Sequence, residues 1–235
     1  MNKKFSILFL GGLAVAMSSL LYSCEKDYEA APAPVNRALI EDFDTVANLY
    51  SKGWAFVNNS RPQGAATWQQ GVYAPGKLGP DGFPAFSYRA AADEYAFAGF
   101  ASGDGVSTLS SWMLTPELQM RNGDKFSFFT RTFTGSTFPD RMEVRMCLSE
   151  NTTDVGRDAN SVGKYTTRLT VVNPNLQTGN AGYPQNWTKV DLTIAGLPEG
   201  IVKRRIAFRY FVTNGGPSGA NSNAIGIDLF HFRPQ

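Results

Sequence analysis

The chain is short of the residues on which most catalytic and metal chemistry is built. Among its 235 residues there is one histidine, His231, and there are two cysteines, Cys24 and Cys147. A zinc site built from several Cys and His ligands needs more than this, and a nucleophilic dyad organised around a central histidine has His231 as its single candidate. A Gly-x-Ser-x-Gly nucleophile motif is also lacking. Charged residues make up only 18%, against about a quarter in an average soluble domain. The formal charge is +2, and Lys3 and Lys4 at the extreme N-terminus account for it. Without them the chain is neutral, whereas a nucleic-acid binder needs a basic excess to displace phosphate counterions. No nucleic-acid partner is therefore expected. From Ala38 to Phe232 no stretch of ten or more residues keeps a helical period.

Aromatic residues, glycine and proline are what the chain has in their place: 13% aromatic, 23 Gly and 13 Pro, a mixture that suits turn-rich β structure. At the N-terminus, Met1-Asn2-Lys3-Lys4 precedes an apolar run from Phe5 to Leu21, followed by Leu21-Tyr22-Ser23-Cys24. A basic start and a short apolar segment read as a secretory signal. Leu, a variable residue, Ser and Cys at its end resemble a bacterial lipobox, although Tyr22 is bulkier than is usual there. The resemblance implies that 1–23 is a lipoprotein signal peptide and that Cys24 is acylated, holding the protein to the outer membrane. Glu25, Lys26, Asp27 and Glu29, followed by an Ala/Pro run to Arg37, cannot bury apolar area. Residues 24–37 are expected to be an extended tether, and its acidic start resembles the export tag of lipoproteins displayed on the cell surface.

The folded part is expected over 38–235 as a single domain. Phe126, Phe128 and Thr130 share a parity, as do Met142, Val144, Met146 and Leu148; Tyr165, Thr167, Leu169 and Val171; Val190, Leu192 and Ile194; and Ile206, Phe208, Tyr210 and Val212. Each set is one face of a strand, and Gly, Pro, Asn and Asp punctuate the gaps. Two antiparallel sheets with facing apolar sides would bury them all as an all-β sandwich. Near the C-terminus Ile225 and Ile227 are odd-numbered whereas Phe230 and Phe232 are even. All four reach the core only if a β-bulge inserts one residue near Asp228 and Leu229.

Several segments in this order resemble the choice-of-anchor J family, which is similar to cleaved-adhesin and carbohydrate-binding jelly rolls. They are Glu41-Asp42-Phe43-Asp44, Gly53-Trp54, Trp112-Met113-Leu114-Thr115-Pro116, Met142 to Met146, Ile206 to Tyr210 and Ile225-Gly226-Ile227-Asp228. The resemblance implies a jelly roll on an exported bacterial protein and says little about chemistry. It also implies a structural calcium held by Asp44 and Asp228, with Glu41 or Asp42 as a further oxygen donor. Read from the residues alone, Asp44 caps a turn and Asp228 marks the bulge. For ligand contact, Trp68, Tyr73 and Tyr183 lie among Gly and Pro in loop-like sequence and are the expected surface aromatics. The long irregular stretch from Asn58 to Phe86 is the expected binding loop. The expected activity is that of a non-catalytic binding module for a glycan or a host or surface protein. A structural or assembly subunit is the alternative, and a glycan-degrading enzyme a lesser one, since that needs two facing carboxylates.

Overall fold

The computed structural model describes residues 37–73, 82–86 and 93–235. Cys24, the signal segment and all but the last residue of the tether lie outside them. In chain order the strands are β1 Leu39–Glu41, β2 Ala55–Asn58, β3 Arg61–Gln63, β4 Gln69–Gln70, β5 Ala96–Gly99, β6 Gly103–Leu114, β7 Leu118–Met120, β8 Lys125–Thr132, β9 Met142–Met146, β10 Thr167–Val172, β11 Thr188–Thr193, β12 Val202–Arg204, β13 Ile206–Gly215 and β14 Ala224–Arg233. The helices among the described residues are short 3-10 turns. The first sheet runs β11-β8-β14-β5-β4 with β1 also on β14, and the second runs β10-β9-β13-β6-β2 with β3 also on β6. Every pairing is antiparallel. The protein is an all-β jelly-roll sandwich.

Strand alternation builds the core. Phe126 and Phe128 from β8 meet Phe208 from β13 and Phe230 from β14, with Phe128 and Phe208 edge to face at 5.0 Å and Phe230 6.0 Å from both Phe126 and Phe208. The β8–β14 register slips between Asp228 and His231, and Leu229 takes a φ of 48°. That is the bulge the parity change requires, and Ile225, Ile227, Phe230 and Phe232 are all buried. One face is assigned differently. The β9–β10 ladder slips between Arg168 and Thr170, so Leu169 and Val172 pack on the main core. Tyr165 leaves that face and joins Trp112, Leu114, Val155 and Ala207 in a separate cluster.

This second cluster sits beneath the 147–166 connection, which covers the outer face of the second sheet. Glu143, Arg145 and Arg209, polar residues on β9 and β13, are buried under it. Arg209 donates to Glu143 Oε2 at 3.0 Å and to the Ser110 hydroxyl at 3.0 Å, and its second amino group reaches the carbonyls of Ala159 and Ser161. Arg145 Nε donates to the same Glu143 oxygen at 2.7 Å. Burial acts to raise the Glu143 carboxyl, but these two guanidinium groups outweigh it and hold it below the usual carboxylate range. Burial pushes Arg209 down to about 10, so both partners are charged at neutral pH. Lys203-Arg204-Arg205, a basic triplet that reads as a solvated strand end, is largely absorbed too. Arg204 caps the carbonyls of Leu148 and Ser149, and Arg205 those of Gly53 and Thr115.

Candidate functional site

Two of the three expected contact aromatics, Trp68 and Tyr183, are not surface residues. Trp68 is 3% exposed, packs in the main core and donates its indole N–H to the Ser111 carbonyl at 3.2 Å. Tyr183 is equally buried, and its hydroxyl lies 2.6 Å from that of Thr130. Neither offers a ring face to a ligand. Short loops rich in Gly and Pro return over the edge of a sandwich and plug it, which local sequence does not reveal. Tyr73 is half-buried, with its backbone N–H on Asp93 at 2.7 Å.

The calcium set of Glu41, Asp44 and Asp228 is not gathered either. Glu41 is buried and already neutralised by Lys52, whose ammonium reaches both carboxylate oxygens at 3.1 and 2.9 Å. Asp44 is exposed at the turn after β1. Asp228 is buried, and its two oxygens accept the N–H groups of Phe86 at 2.8 Å and Leu229 at 2.7 Å. Burial raises its carboxyl to about 7 against those two hydrogen bonds, with the negative charges of Asp42 and Glu94 adding to the rise. Among the described residues no group of three Asp, Glu, His or Cys side chains is placed to hold a metal ion. Glu41 and Asp44 are therefore not brought together with Asp228, while Asp42, the other donor the resemblance names, lies near enough to act on it.

Asp228 instead anchors a strap. Residues 82–86 cross the outer face of the first sheet, where Phe83 joins Tyr95, Phe97 and Phe133 and Phe86 stacks on Phe129 at 3.7 Å. Trp187 donates its indole N–H to the Pro84 carbonyl at 2.8 Å. The close approach needs Gly226 below it, since a Cβ there would lie 2.7 Å from the Phe83 ring.

The open site is at one pole of the sandwich, where the chain crosses between sheets three times: from β5 to β6, from β8 to β9 and from β13 to β14. These crossings enclose a groove of about 450 Å³. Phe100, Phe133 and Phe138 supply its apolar surface, Ser136 and Asn223 polar groups, and Pro217 one rim. A hollow of about 190 Å³ continues it, sharing Phe100, Phe133 and Asn223. No lining side chain of either carries a charge. Phe138 is 46% exposed.

The walls are tied to each other rather than held by strand pairing. Asn223 donates its side-chain amide to the Ser136 hydroxyl at 3.1 Å, and the Ser222 N–H reaches the Pro139 carbonyl at 3.0 Å. Gly216 turns at a φ of 87°, a left-handed conformation that glycine adopts at no steric cost, and its N–H is received by Ser222 Oγ at 2.9 Å. In the sequence, Gly135 to Asp140 reads as a turn. The signal it held was Phe138, a lone aromatic among Thr, Gly and Ser.

No protein-family profile matches the sequence, and no curated protein sequence is similar to it. Solved structures with the same fold include the K1 cleaved adhesin domain of Lys-gingipain from Porphyromonas gingivalis W83, at 18% identity and a TM-score of 0.52, covering 84% of this chain and 98% of that one. The K3 cleaved adhesin domain of the same protein is 15% identical with a TM-score of 0.50, over 84% and 98%. A family 11 carbohydrate-binding module from Clostridium thermocellum, solved with a mixed-linked tetrasaccharide, is more distant, at 12% identity and a TM-score of 0.41 over 84% and 95%. What the two cleaved adhesin likenesses show of the chain is its fold, a β-sandwich.

Proposed function

We propose that the protein is a non-catalytic binding module that takes a neutral glycan in the polar groove. The observation that carries this reading is the lining itself, three phenylalanines interleaved with hydroxyl and amide groups and no charge. Pyranose rings present apolar C–H faces to aromatic side chains and hydroxyls to such donors and acceptors. An anionic or phosphorylated ligand would find no cation there. The lining also contains no Asp or Glu, so the facing carboxylates that glycoside hydrolysis requires are not part of this groove. The cleaved adhesin fold is in keeping with a module whose loops bind while its sheets stay rigid.

The test is a glycan array probed with the labelled protein, followed by titration of the best glycan against Phe138→Ala. Truncating an exposed ring should weaken binding at least tenfold while the melting temperature stays within a few degrees. A glycan bound equally well by Phe138→Ala would remove the groove from consideration. An array with no hits beside a captured host or surface protein would favour the protein-ligand reading.

The site of action follows from the N-terminal sequence. Cys24 is the lipidated residue in this proposal, and the domain is displayed from the outer membrane on the 24–37 tether. A processed Cys24→Ala protein should move from the detergent phase to the aqueous phase, because acyl chains are the only membrane hold the proposal gives the mature chain. Continued detergent partitioning of that variant would refute the anchor.

A further inference from the structure

We propose that Asp140 is the positioning residue of the groove and acts as a protonated carboxylic acid, latching the two loops that wall it by a proton that is lost as the pH rises. The regulatory consequence rests on the glycan reading above; the latch itself does not. Asp140 is completely buried at the end of the 133–141 loop. Its Oδ1 accepts the Tyr210 hydroxyl at 2.5 Å and the Asn223 N–H at 2.8 Å. Its Oδ2 lies 2.7 Å from Thr132 Oγ1, and Thr132 Oγ1 is also 2.7 Å from the Ala224 carbonyl oxygen. One carboxyl group thus joins the end of β8, the middle of β13 and the start of β14.

Counting protons decides its charge. A threonine hydroxyl has one hydrogen to give, and here two acceptors stand at equal distance from it. If Asp140 is ionised, one of the two contacts has no proton in it. If Oδ2 carries a proton, the chain closes: Asp140 Oδ2–H donates to Thr132, and Thr132 donates to Ala224. The same sheet shows the complete version two residues earlier. Thr130 Oγ1 lies 2.7 Å from the Gly226 carbonyl oxygen and 2.6 Å from the Tyr183 hydroxyl, whose other acceptor is only the weak Met142 Sδ at 3.8 Å, so the tyrosine is able to supply the proton. Asp140 stands to Thr132 as Tyr183 stands to Thr130, and a carboxyl group fills that role only when protonated.

The surroundings agree. The titratable groups that act on Asp140 and its partners are Tyr210 and Tyr183, both kept neutral by burial, which raises their hydroxyls. No cation is among the largest influences on Asp140; burial raises its carboxyl to about 6 in spite of the hydrogen bonds from Tyr210, Thr132, Asn223 and Ala224. The unfolded chain releases this proton near pH 4, so between there and about 6 the folded state holds the extra proton. The contribution is complete below pH 4 and is lost as pH rises through 6. Above that, Thr132 must choose between Asp140 and Ala224, and the walls loosen.

The test uses the full chain at pH 5 and pH 8, with isotope-edited infrared spectroscopy of aspartate and amide exchange over 133–140 and 216–224. The expected result is a carboxylic-acid C=O component at pH 5 that is lost in Asp140→Asn and kept in Asp228→Asn, whose parent carboxyl is also raised, and wall amides at least tenfold less protected at pH 8 after correction for intrinsic exchange. Asp140→Asn copies the protonated acid, its amide N–H₂ donating to Thr132 and its oxygen accepting from Tyr210 and Asn223. It should therefore keep the pH 5 protection at both pH values. An acid band unchanged by Asp140→Asn, or an Asp140→Asn variant as destabilised at pH 5 as Asp140→Ala, would overturn the latch. A wild type with the band and the pH-dependent protection, yet retaining no array glycan at either pH, would uphold the latch and refute the glycan reading.

Discussion

Glu143→Ala is expected to cost the domain about 3–5 kcal/mol of unfolding free energy, the usual penalty for removing one partner of a buried ion pair. The cost arises less from the lost attraction than from what remains. Arg209 is 1% exposed, with its guanidinium over the Phe211 ring at 3.8 Å and facing the Trp112 ring at 4.9 Å. Without Glu143 its charge is enclosed among rings and carbonyls, and Arg145 loses the same acceptor. A double-mutant cycle with Arg209→Ala should show strong coupling, the pair costing much less than the sum of the singles. Additive effects in urea unfolding would mean that 147–166 does not seal this face from water.

Trp68→Ala should be comparably damaging, at about 3–5 kcal/mol, or roughly 6–20 °C in melting temperature for a domain of this size. The substitution empties a large volume in the main core and leaves the Ser111 carbonyl without its indole donor. The midpoint of urea unfolding should fall with the slope unchanged. A loss below about 1 kcal/mol would return Trp68 to the surface and reopen it as a ligand contact.

These two residues also mark where the sequence stops being readable. Period-2 alternation reports which side of a strand is apolar, and for β8, β9, β13 and β14 that was sufficient to place the core and even the bulge beside Asp228. It cannot report whether a polar face is wet. Glu143, Arg145 and Arg209 alternate with the apolar residues of β9 and β13, and only the path of a connection twenty residues long makes them interior. Trp68 is the converse, an aromatic in loop-like sequence that the fold draws inward. The groove was illegible for a related reason: Phe100, Phe138 and Pro217 come together because three crossings share a pole, and no local pattern encodes that. Asp140 depends on partners at 132, 210 and 223, each unremarkable alone.

Arg37, the first described residue, is bound to the pole opposite the groove. Its guanidinium reaches Asp124 at 2.8 Å and the Gln235 carbonyl at 3.1 Å, and β1 then pairs with the end of β14, Leu39 opposite Phe232. β8 spans the distance between the poles, about 27 Å at 3.4 Å per residue. Under the proposed groove and N-terminal anchor, a ligand pulled away in flow would load the domain between the groove and residue 37, along the strands rather than across them. β1 and β14 would be drawn in opposite directions from their N-terminal ends, so their ladder bears the load in shear and its hydrogen bonds yield together instead of unzipping singly. Forced rupture is governed by the unfolding rate, and with the proposed anchor this geometry would place the mechanical strength at the short β1–β14 ladder and the Arg37–Asp124 clamp beside it.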